Sequence, residues 1–378
     1  MNINIVFQYF DPTKGGIENT AYYLYEELSK TYSMRGVSME VDVDLKIKGV
    51  TYFPKSHAGL KYFIERNKWQ FRNSLDADNT YNIGMTWFNA VGAYRAKKKY
   101  GTPYLCLVHG DDVYFNSKDG SVKDKLIRKV KKVLAKRVLE NADVLCINSK
   151  NTQEILHKTI TNTREIIIHP GINFVELNTA WHRKNQFVIF SIGRHVERKG
   201  FRNVLLAMPE LRKIIPNVKY YLAGDGPLRR EFETIVKERH LEGCVEFLGR
   251  IDEAEKYKRF QESDILLMPS FEVPAKMSIE GFGIVYLEAN MAGRYAVGTN
   301  SGGIPDAIVE GITGHLMKDA EPETIVKDIY EIYCKLDDLY TQQLIDKRVE
   351  WARKHSFKNI AAQYEEVMFS KNSHSTFW

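Results

Sequence analysis

The sequence has few of the features that would place it outside the ordinary globular proteins. It contains four cysteines in 378 residues and no CxxC pair, so a disulfide scaffold is not expected. Three of them, Cys106, Cys146 and Cys244, lie in apolar runs, where we expect free, buried thiols in a reducing compartment. No apolar run approaches the roughly 18 residues of a membrane-spanning helix, and no signal peptide is predicted. These absences favour a cytoplasmic protein.

The charge balance is also unremarkable for a globular chain. Lys and Arg number 54 against 48 Asp and Glu, which leaves a net charge of +6. This excess is too small to indicate a nucleic-acid partner unless it is concentrated in one place. Hydrophobic residues at 44% and charged residues at 27% exclude a disordered or collagen-like chain, and the length predicts two to three domains.

Short apolar runs alternate with helical patterns along the whole chain, which predicts an α/β fold with parallel sheets. The predicted strands are residues 3–7, 81–87, 103–108, 143–148, 165–169, 187–192, 218–223, 245–249, 264–269, 295–298 and 315–317. The series restarts near residue 186, after a polar stretch at 178–186 that we interpret as a linker. We therefore expect two domains, 1–177 and 178–355, followed by a segment 356–378 whose helix returns to the first domain.

Positive charge is concentrated in one predicted helix. Residues 122–139 place apolar side chains at helical spacing, with eight Lys and Arg residues between them and one acid, Asp124. This pattern is typical of a core helix with a solvated basic face. It also fits contact with anionic lipid at the inner face of the cytoplasmic membrane, worth about 1 kcal/mol per basic residue. Nucleic acid is not expected, because no recognised binding motif accompanies the patch.

Four segments at predicted strand-to-helix junctions are candidates for a ligand site, because ligands of α/β sheets bind at the carboxyl ends of strands. Gly15 and Gly16 open a helix, where free amides attract anions. Gly193 and Arg194 begin a loop that ends in Lys199, and two fixed cations there could hold a diphosphate. For the glycine pair alone, a plain loop is the default interpretation, whereas the second segment fits a surface loop and a phosphate site about equally.

The other two candidates are an acidic segment and a histidine. In the acidic segment, Glu280 precedes a helix that we expect to begin near Ile284, and Glu288 lies about one turn inside it. His109 follows an apolar run, a position more often structural than catalytic. We reject the metal-binding DxD pattern at 42–44, which has strand alternation, and at 76–78, which is typical of a loop.

These segments together resemble the retaining, GT-B-type glycosyltransferases of family 4. GGIE (15–18), GRHVERKG (193–200), YYLAGDGPLRRE (220–231), VEFLGRI (245–251), the Glu-x7-Glu segment (280–288) and TNSGGIPDAIVEGITGHL (299–316) occur in the family's order and spacing. The resemblance implies two Rossmann-like domains facing across a cleft, with a C-terminal helix crossing back to the first domain.

The resemblance also implies roles for particular residues. Arg194 and Lys199 would bind the departing diphosphate, Glu280 would contact the transferred sugar, and His109 would lie near that sugar. Glu288 would hold the ribose hydroxyls. The remaining donor contacts that the resemblance implies are Gly15, Gly16, Gly193, Gly249, Arg250, Phe282, Gly283, Ile284 and Val285.

The implied activity is transfer of a hexose, with retention, from a UDP- or GDP-sugar to a glycan or lipid-linked acceptor in bacterial cell-surface polysaccharide or lipopolysaccharide synthesis. The resemblance implies no cofactor and no metal, because cationic side chains would neutralise the leaving group. A sugar-nucleotide epimerase of the same architecture and a non-catalytic nucleotide-sugar binder are the alternatives.

Overall fold

The computed structural model describes residues 1–12, 15–40, 47–110, 122–160, 164–274 and 278–369. The chain divides into two compact units. The first comprises residues 1–173 together with the C-terminal segment from Phe357, and the second comprises residues 174–356.

The first unit is built on a parallel sheet of seven strands in the order β3-β2-β1-β4-β5-β6-β7. Its strands are β1 (Asn2–Tyr9), β2 (Ser33–Met39), β3 (Val50–Phe53), β4 (Thr80–Gly84), β5 (Tyr104–Val108), β6 (Val144–Ile147) and β7 (Glu165–Ile167). Its helices are α1 (Gly16–Ser29), α2 (Leu60–Arg72), α3 (Val91–Tyr100), α4 (Val122–Glu140) and α5 (Lys150–His157), with the C-terminal helix described below.

The second unit has a parallel sheet of six strands in the order β10-β9-β8-β11-β12-β13. Its strands are β8 (Phe187–Ile192), β9 (Val218–Ala223), β10 (Val245–Gly249), β11 (Ile265–Leu267), β12 (Tyr295–Thr299) and β13 (Gly314–Met317). Its helices are α6 (Phe201–Ile214), α7 (Arg229–Glu238), α8 (Glu253–Glu262), α9 (Ile284–Met291), α10 (Ile304–Ala307), α11 (Pro322–Cys334), α12 (Leu336–Leu339) and α13 (Gln342–Lys354).

The two sheets confirm the predicted α/β class with two Rossmann-like domains. Each is parallel because its strands are joined by helical crossovers, and the strands are continuous apolar runs because helices cover the sheet faces. Every residue of β5 and of β12 is buried, as that arrangement requires. All eleven runs predicted as strands form strands in the structure.

The C-terminal helix α14 (Phe357–Phe369) belongs to the first unit, as predicted. Ile360, Tyr364 and Val367 are buried in the same apolar cluster as Ile3 and Leu107 of the first sheet. The helix therefore completes the core of a unit that the chain left almost two hundred residues earlier.

The segment 178–186 is packed against the second unit and is not a free linker. The Trp181 indole stacks on Tyr340, with ring centroids 4.3 Å apart, and donates a hydrogen bond of 2.8 Å to Asp264. The division between the units accordingly falls after Asn173, four residues before the predicted boundary.

Candidate functional site

The carboxyl ends of β8, β9 and β10 meet in a tightly packed edge of the second sheet. The Gly193 amide donates to the Ala223 carbonyl at 3.1 Å, and the Gly224 amide donates to the Gly249 carbonyl at 2.6 Å. A Cβ atom on Gly224, whose φ is +110°, would lie 2.0 Å from the Gly193 carbonyl oxygen. Glycine is therefore required where the three strand ends converge.

The loop after β8 is fixed in the same way. Gly200 has a φ of +70°, and a Cβ there would lie 2.1 Å from the Pro269 carbonyl oxygen, just after β11. The Phe271 amide also donates to the Arg198 carbonyl at 2.8 Å. These contacts hold the turn Glu197–Lys199, and with it two cationic side chains, at the strand ends.

Glu280 forms an ion pair with both of those cations. Its Oε2 accepts hydrogen bonds of 2.6 Å from Arg198 and 2.6 Å from Lys199. Burial of the carboxylate would raise its pKa, but the charges of Lys199 and Arg198 outweigh burial and hold the pKa of Glu280 below its usual range. Glu280 is therefore an anion that Lys199 and Arg198 orient. The sequence predictions included Lys199 and Glu280 but missed Arg198.

Two adjacent glycines position the backbone of Glu280. The Gly303 amide donates to the Glu280 carbonyl at 2.9 Å, and a Cβ on Gly302 would lie 2.5 Å from that oxygen. Gly302 and Gly303 thus pack against the Glu280 backbone and help to fix its position.

Arg194 and Arg250 differ from Lys199 in their surroundings. Both side chains are exposed, and within the described residues neither has an ion pair or hydrogen bond through its guanidinium. Arg194 directly follows Gly193 at the end of β8, and Arg250 directly follows Gly249 at the end of β10. Two cations are therefore available to a ligand at this edge, in addition to the two held by Glu280.

Helix α9 begins at Ile284, as predicted, with Gly283 as its N-cap in the left-handed region at φ 91°. A Cβ on Gly283 would collide with the Tyr286 ring at 2.4 Å. The first amides of a helix have no partner within it and favour anions. The N-terminus of α9 therefore lies shortly after Glu280 in the sequence. It comprises Phe282, Gly283, Ile284 and Val285.

Glu288 lies in the middle of α9 and pairs with Lys256 of α8 at 2.7 Å. Burial of the Lys256 ammonium, which alone would lower its pKa, is outweighed by Glu288, so the pKa of Lys256 is raised. Lys256 was not predicted. Its separation of 32 residues from Glu288 left no local pattern that could have indicated the pair.

In the first unit, His109 follows β5 and its Nε2 is 2.8 Å from the Met85 carbonyl oxygen. A carbonyl can only accept, so Nε2 carries the proton. Burial lowers the pKa of His109 to about 4, which keeps the imidazole neutral near pH 7. The charge of Glu18, in the first turn of α1, acts on this histidine in the opposite direction.

Gly15 and Gly16 precede that glutamate at the start of α1. The Gly15 backbone is extended, and a Cβ there would lie 3.0 Å from Oε2 of Glu18. A Cβ on Gly16 would meet nothing within 4 Å, so internal packing does not demand glycine at position 16. Next to them is a cavity of about 190 Å³, lined by residues that include Gln8, Glu18 and Phe88.

The DxD patterns gave no metal site among the residues that the structure describes. Residues 42–44 lie outside those residues. Asp76 is in a loop, as predicted, where its carboxylate accepts hydrogen bonds from Asn79. Over the described ranges, no group of three or more His, Cys, Asp or Glu side chains is placed to hold a metal ion.

The basic helix α4 is buried only towards its C-terminal end. Ala135, Val138 and Leu139 are buried, whereas Leu126 and Val130 are exposed. The predicted core face therefore holds for the second half of the helix and fails for the first half, whose described apolar side chains face solvent. No helix within the described residues is both long enough and apolar enough to cross a membrane.

Comparisons with known proteins found one family match and several similar enzymes. The family "Glycosyl transferases group 1" matches residues 178–339. The chain is 29% identical to a GDP-mannose-dependent alpha-(1-6)-phosphatidylinositol monomannoside mannosyltransferase of Mycolicibacterium smegmatis, over 85% of this chain and 87% of that protein. It is 26% identical to the N-acetyl-alpha-D-glucosaminyl L-malate synthase of Bacillus anthracis, over 74% of this chain and 72% of that protein.

The search of solved structures found proteins of similar fold. Anabaena HepE, crystallised with UDP and glucose, superposes with a TM-score of 0.75 over 98% of this chain and 100% of that chain, at 17% identity. At that identity the likeness establishes the fold.

Proposed function

We propose that this chain, a GT-B glycosyltransferase of the group 1 type, transfers a hexose with retention from a UDP- or GDP-sugar to a hydroxyl of a glycan or lipid-linked acceptor. The observation that carries this proposal is the set of cations at the carboxyl ends of β8 and β10. Lys199 and Arg198 are held in place by Glu280, and Arg194 and Arg250 are open to a ligand.

These cations suit the chemistry of the departing nucleotide. Glycosyl transfer passes through an oxocarbenium-like state while negative charge grows on the diphosphate. Donors fixed in advance at that point typically contribute roughly 3–4 kcal/mol each. Lys199 and Arg194 would take up this charge together with the amides at the N-terminus of α9, so the reaction would need no divalent ion.

The two glutamates would orient the donor. Glu280 is held as an anion and would accept hydrogen bonds from hydroxyls of the transferred sugar. Glu288, paired with Lys256, would accept them from the ribose. In a retaining reaction without a protein nucleophile, the acceptor attacks from the face that the diphosphate leaves, so neither glutamate needs to form a covalent bond.

The donor contacts proposed for residues of the first unit stay predictions. The neutral His109 would lie near the sugar as an uncharged group, and Gly15 and Gly16 would leave room for the donor phosphates. Loops of the same unit would select the acceptor.

A lipid-linked acceptor is supported by the exposed apolar and basic half of α4 and by the mannosyltransferase similarity, since that relative is named for a phosphatidylinositol monomannoside acceptor. We place the protein at the inner face of the cytoplasmic membrane, in synthesis of a cell-surface polysaccharide or lipopolysaccharide. Liposome flotation tests the contact: binding should require anionic lipid, and flotation equal on neutral vesicles would refute it.

A panel of sugar nucleotides tests the activity itself. The true donor should raise the melting temperature according to its affinity, and nucleotide should be released only when an acceptor is added. Epimerised sugar formed from the donor alone would indicate an epimerase, and binding without release for any acceptor would indicate a non-catalytic binder.

A further inference from the structure

A cavity of about 430 Å³ lies between α2 and α4 in the first unit. Its wall is formed mainly by apolar side chains, among them Leu60, Phe63, Phe88, Val130 and Leu134. A volume of this size holds a small-molecule ligand or part of a larger one. Lys131 is the charged residue of α4 in its lining.

Arg66 of α2 also lines this cavity and is an unusual group to find there. Its side chain is 0% exposed, and Nη1 and Nη2 donate to Gln8 Oε1 at 3.0 Å and to the Phe88 carbonyl at 3.1 Å. Its buried Nε has no hydrogen-bond partner. Within the part of the chain that the structure describes, no carboxylate pairs with this guanidinium.

An unpaired buried cation is costly, because the charge loses its hydration and gains no counter-charge. Burial accordingly lowers the pKa of Arg66 to about 10. The rings of Phe88, Tyr62 and Phe63, at 4.6, 5.3 and 5.4 Å from the guanidinium carbon, attract the cation but carry no net negative charge. An anion bound in the cavity would supply the missing charge.

The two helices that border the cavity expose many large apolar side chains. Of the ten large hydrophobic side chains that are exposed in the described residues, six belong to α2 and α4. They are Leu60, Ile64, Leu126, Ile127, Val130 and Val133. Exposed clusters of this kind mark contact with another apolar surface. Exposed lysines of both helices, such as Lys61 and Lys129, lie among them in sequence.

The cavity adjoins the one at the carboxyl ends of β1 and β4. Gln8 and Phe88 line both cavities, and the second also contains Glu18. A molecule that lies across α2 and α4 can thus approach Arg66 with one part and the strand ends with another.

We propose that this cavity binds an anionic lipid, and that this lipid is the sugar acceptor. Its hydrocarbon lies against the apolar side chains of α2 and α4, and its negatively charged group lies beside Arg66. Its acceptor hydroxyl then reaches the neighbouring cavity at the strand ends. This rests on the proposed function, since it names the class of acceptor for that transfer.

The test measures binding of dodecyl phosphate below its micelle concentration to the full-length protein, by isothermal titration calorimetry. Inorganic phosphate serves as the head group alone, and dodecyl maltoside as the same chain with a neutral head. We expect one dodecyl phosphate per chain, bound at least tenfold more tightly than either comparison compound. Equal affinity for dodecyl maltoside would overturn the role of charge.

Two variants locate the site. Leu60→Glu places a like charge at the cavity wall, on a residue that is 72% exposed, and should weaken binding of dodecyl phosphate tenfold or more. The matched control is Leu75→Glu, on a residue that is 59% exposed and outside the cavity lining, which should change binding less than twofold. The same loss in both variants would overturn the proposal.

A third variant tests Arg66 itself. Arg66→Met should bind dodecyl maltoside as the parent does but lose the preference for dodecyl phosphate; an unchanged preference would contradict the role of Arg66. If Arg66→Met does not fold, the Leu60→Glu comparison still decides. Titration with UDP and GDP in the same samples separates the two hypotheses. Nucleotide binding without dodecyl phosphate binding refutes this inference only, and the reverse result refutes the proposed function.

Discussion

The Lys199 ammonium lies 2.6 Å from Oε2 of Glu280, and Arg198 shares the same oxygen. One carboxylate thus holds two cations at the carboxyl end of a parallel sheet, where ligands of this architecture bind. Because the acid neutralises only part of that charge, the pair can remain formed and still attract a diphosphate. This relationship joins a residue assigned to the leaving group with one assigned to the sugar.

Removing either Lys199, which pairs with Glu280, or Arg194, which has no ion pair within the described residues, should slow the reaction. We expect Lys199→Ala and Arg194→Ala each to lower turnover on the order of a hundredfold, because a fixed donor to the leaving group is lost. Steady-state kinetics with the identified donor measures the effect. Arg202→Ala is the matched control, since Arg202 forms an exposed ion pair with Glu231 on the neighbouring helices. Activity of the first two variants within a few-fold of the parent would refute their role.

Removing the carboxylate should separate binding from turnover. In Glu280→Gln, Lys199 and Arg198 lose their counter-charge, so we expect several-fold tighter binding of free UDP or GDP. Turnover should fall at the same time, because the contact to the sugar is weakened. Calorimetry and kinetics on the same preparation measure both quantities. Weaker nucleotide binding would show that Glu280 matters mainly by positioning the cations.

The pair between Glu288 and Lys256 should act on donor binding. Glu288→Gln is expected to raise the donor KM about tenfold with a smaller effect on kcat, because a charged hydrogen bond to the ribose contributes roughly 1.5–3 kcal/mol. Glu253→Gln is a suitable control, since the Glu253 carboxylate lies 3.5 Å from the same lysine but is exposed to solvent. A Glu288→Gln enzyme with an unchanged donor KM would exclude the ribose contact.

His109 should make the first unit sensitive to acid. Burial lowers its pKa to about 4 in the folded protein, against about 6.5 for a solvent-exposed histidine. The unfolded chain therefore binds the proton first, and stability rises with pH between these values and falls as the pH is lowered through them. Between pH 6.5 and 5 the parent should lose roughly 1.5 kcal/mol more than His109→Gln. Urea unfolding of both proteins at the two pH values measures this difference, and parallel losses would contradict the buried, neutral histidine.

Chelation should leave the reaction largely intact. If Lys199, Arg194 and the N-terminus of α9 take up the charge of the leaving group, EDTA should not change the initial rate by more than a small factor. Complete loss of activity, restored by Mn²⁺ or Mg²⁺, would show that a divalent ion supplies this charge.

Most of the fold could be predicted from the sequence because its strands are continuous apolar runs. The exceptions are informative. β2, with the sequence SMRGVSM, and β3, with VTYF, were missed. β2 is interrupted by Arg35 and Gly36, and β3 is an edge strand of four residues, so neither has an extended apolar pattern. Helix α7 begins at Arg229, after a turn at residues 227–228 in which the Leu228 amide donates to the His195 carbonyl.

The candidate site was only partly predictable, for a different reason. Motif spacing pointed to Lys199, Glu280 and Glu288 as candidate site residues, which stay predictions. Their ion-pair partners Arg198 and Lys256 are recognisable only from the folded chain. Arg198 is 82 residues from Glu280 in sequence, and the packing of separate strand ends brings them together. Arg66 had no sequence signal at all, because only its burial without an acidic partner distinguishes it.

The most direct test of the central claim is a crystal structure of the protein with UDP or GDP. The account predicts the two phosphorus atoms beside Arg194 and Lys199, with the phosphate oxygens within hydrogen-bond distance of both side chains. A nucleotide bound away from these residues, or no bound nucleotide at millimolar concentration, would contradict it.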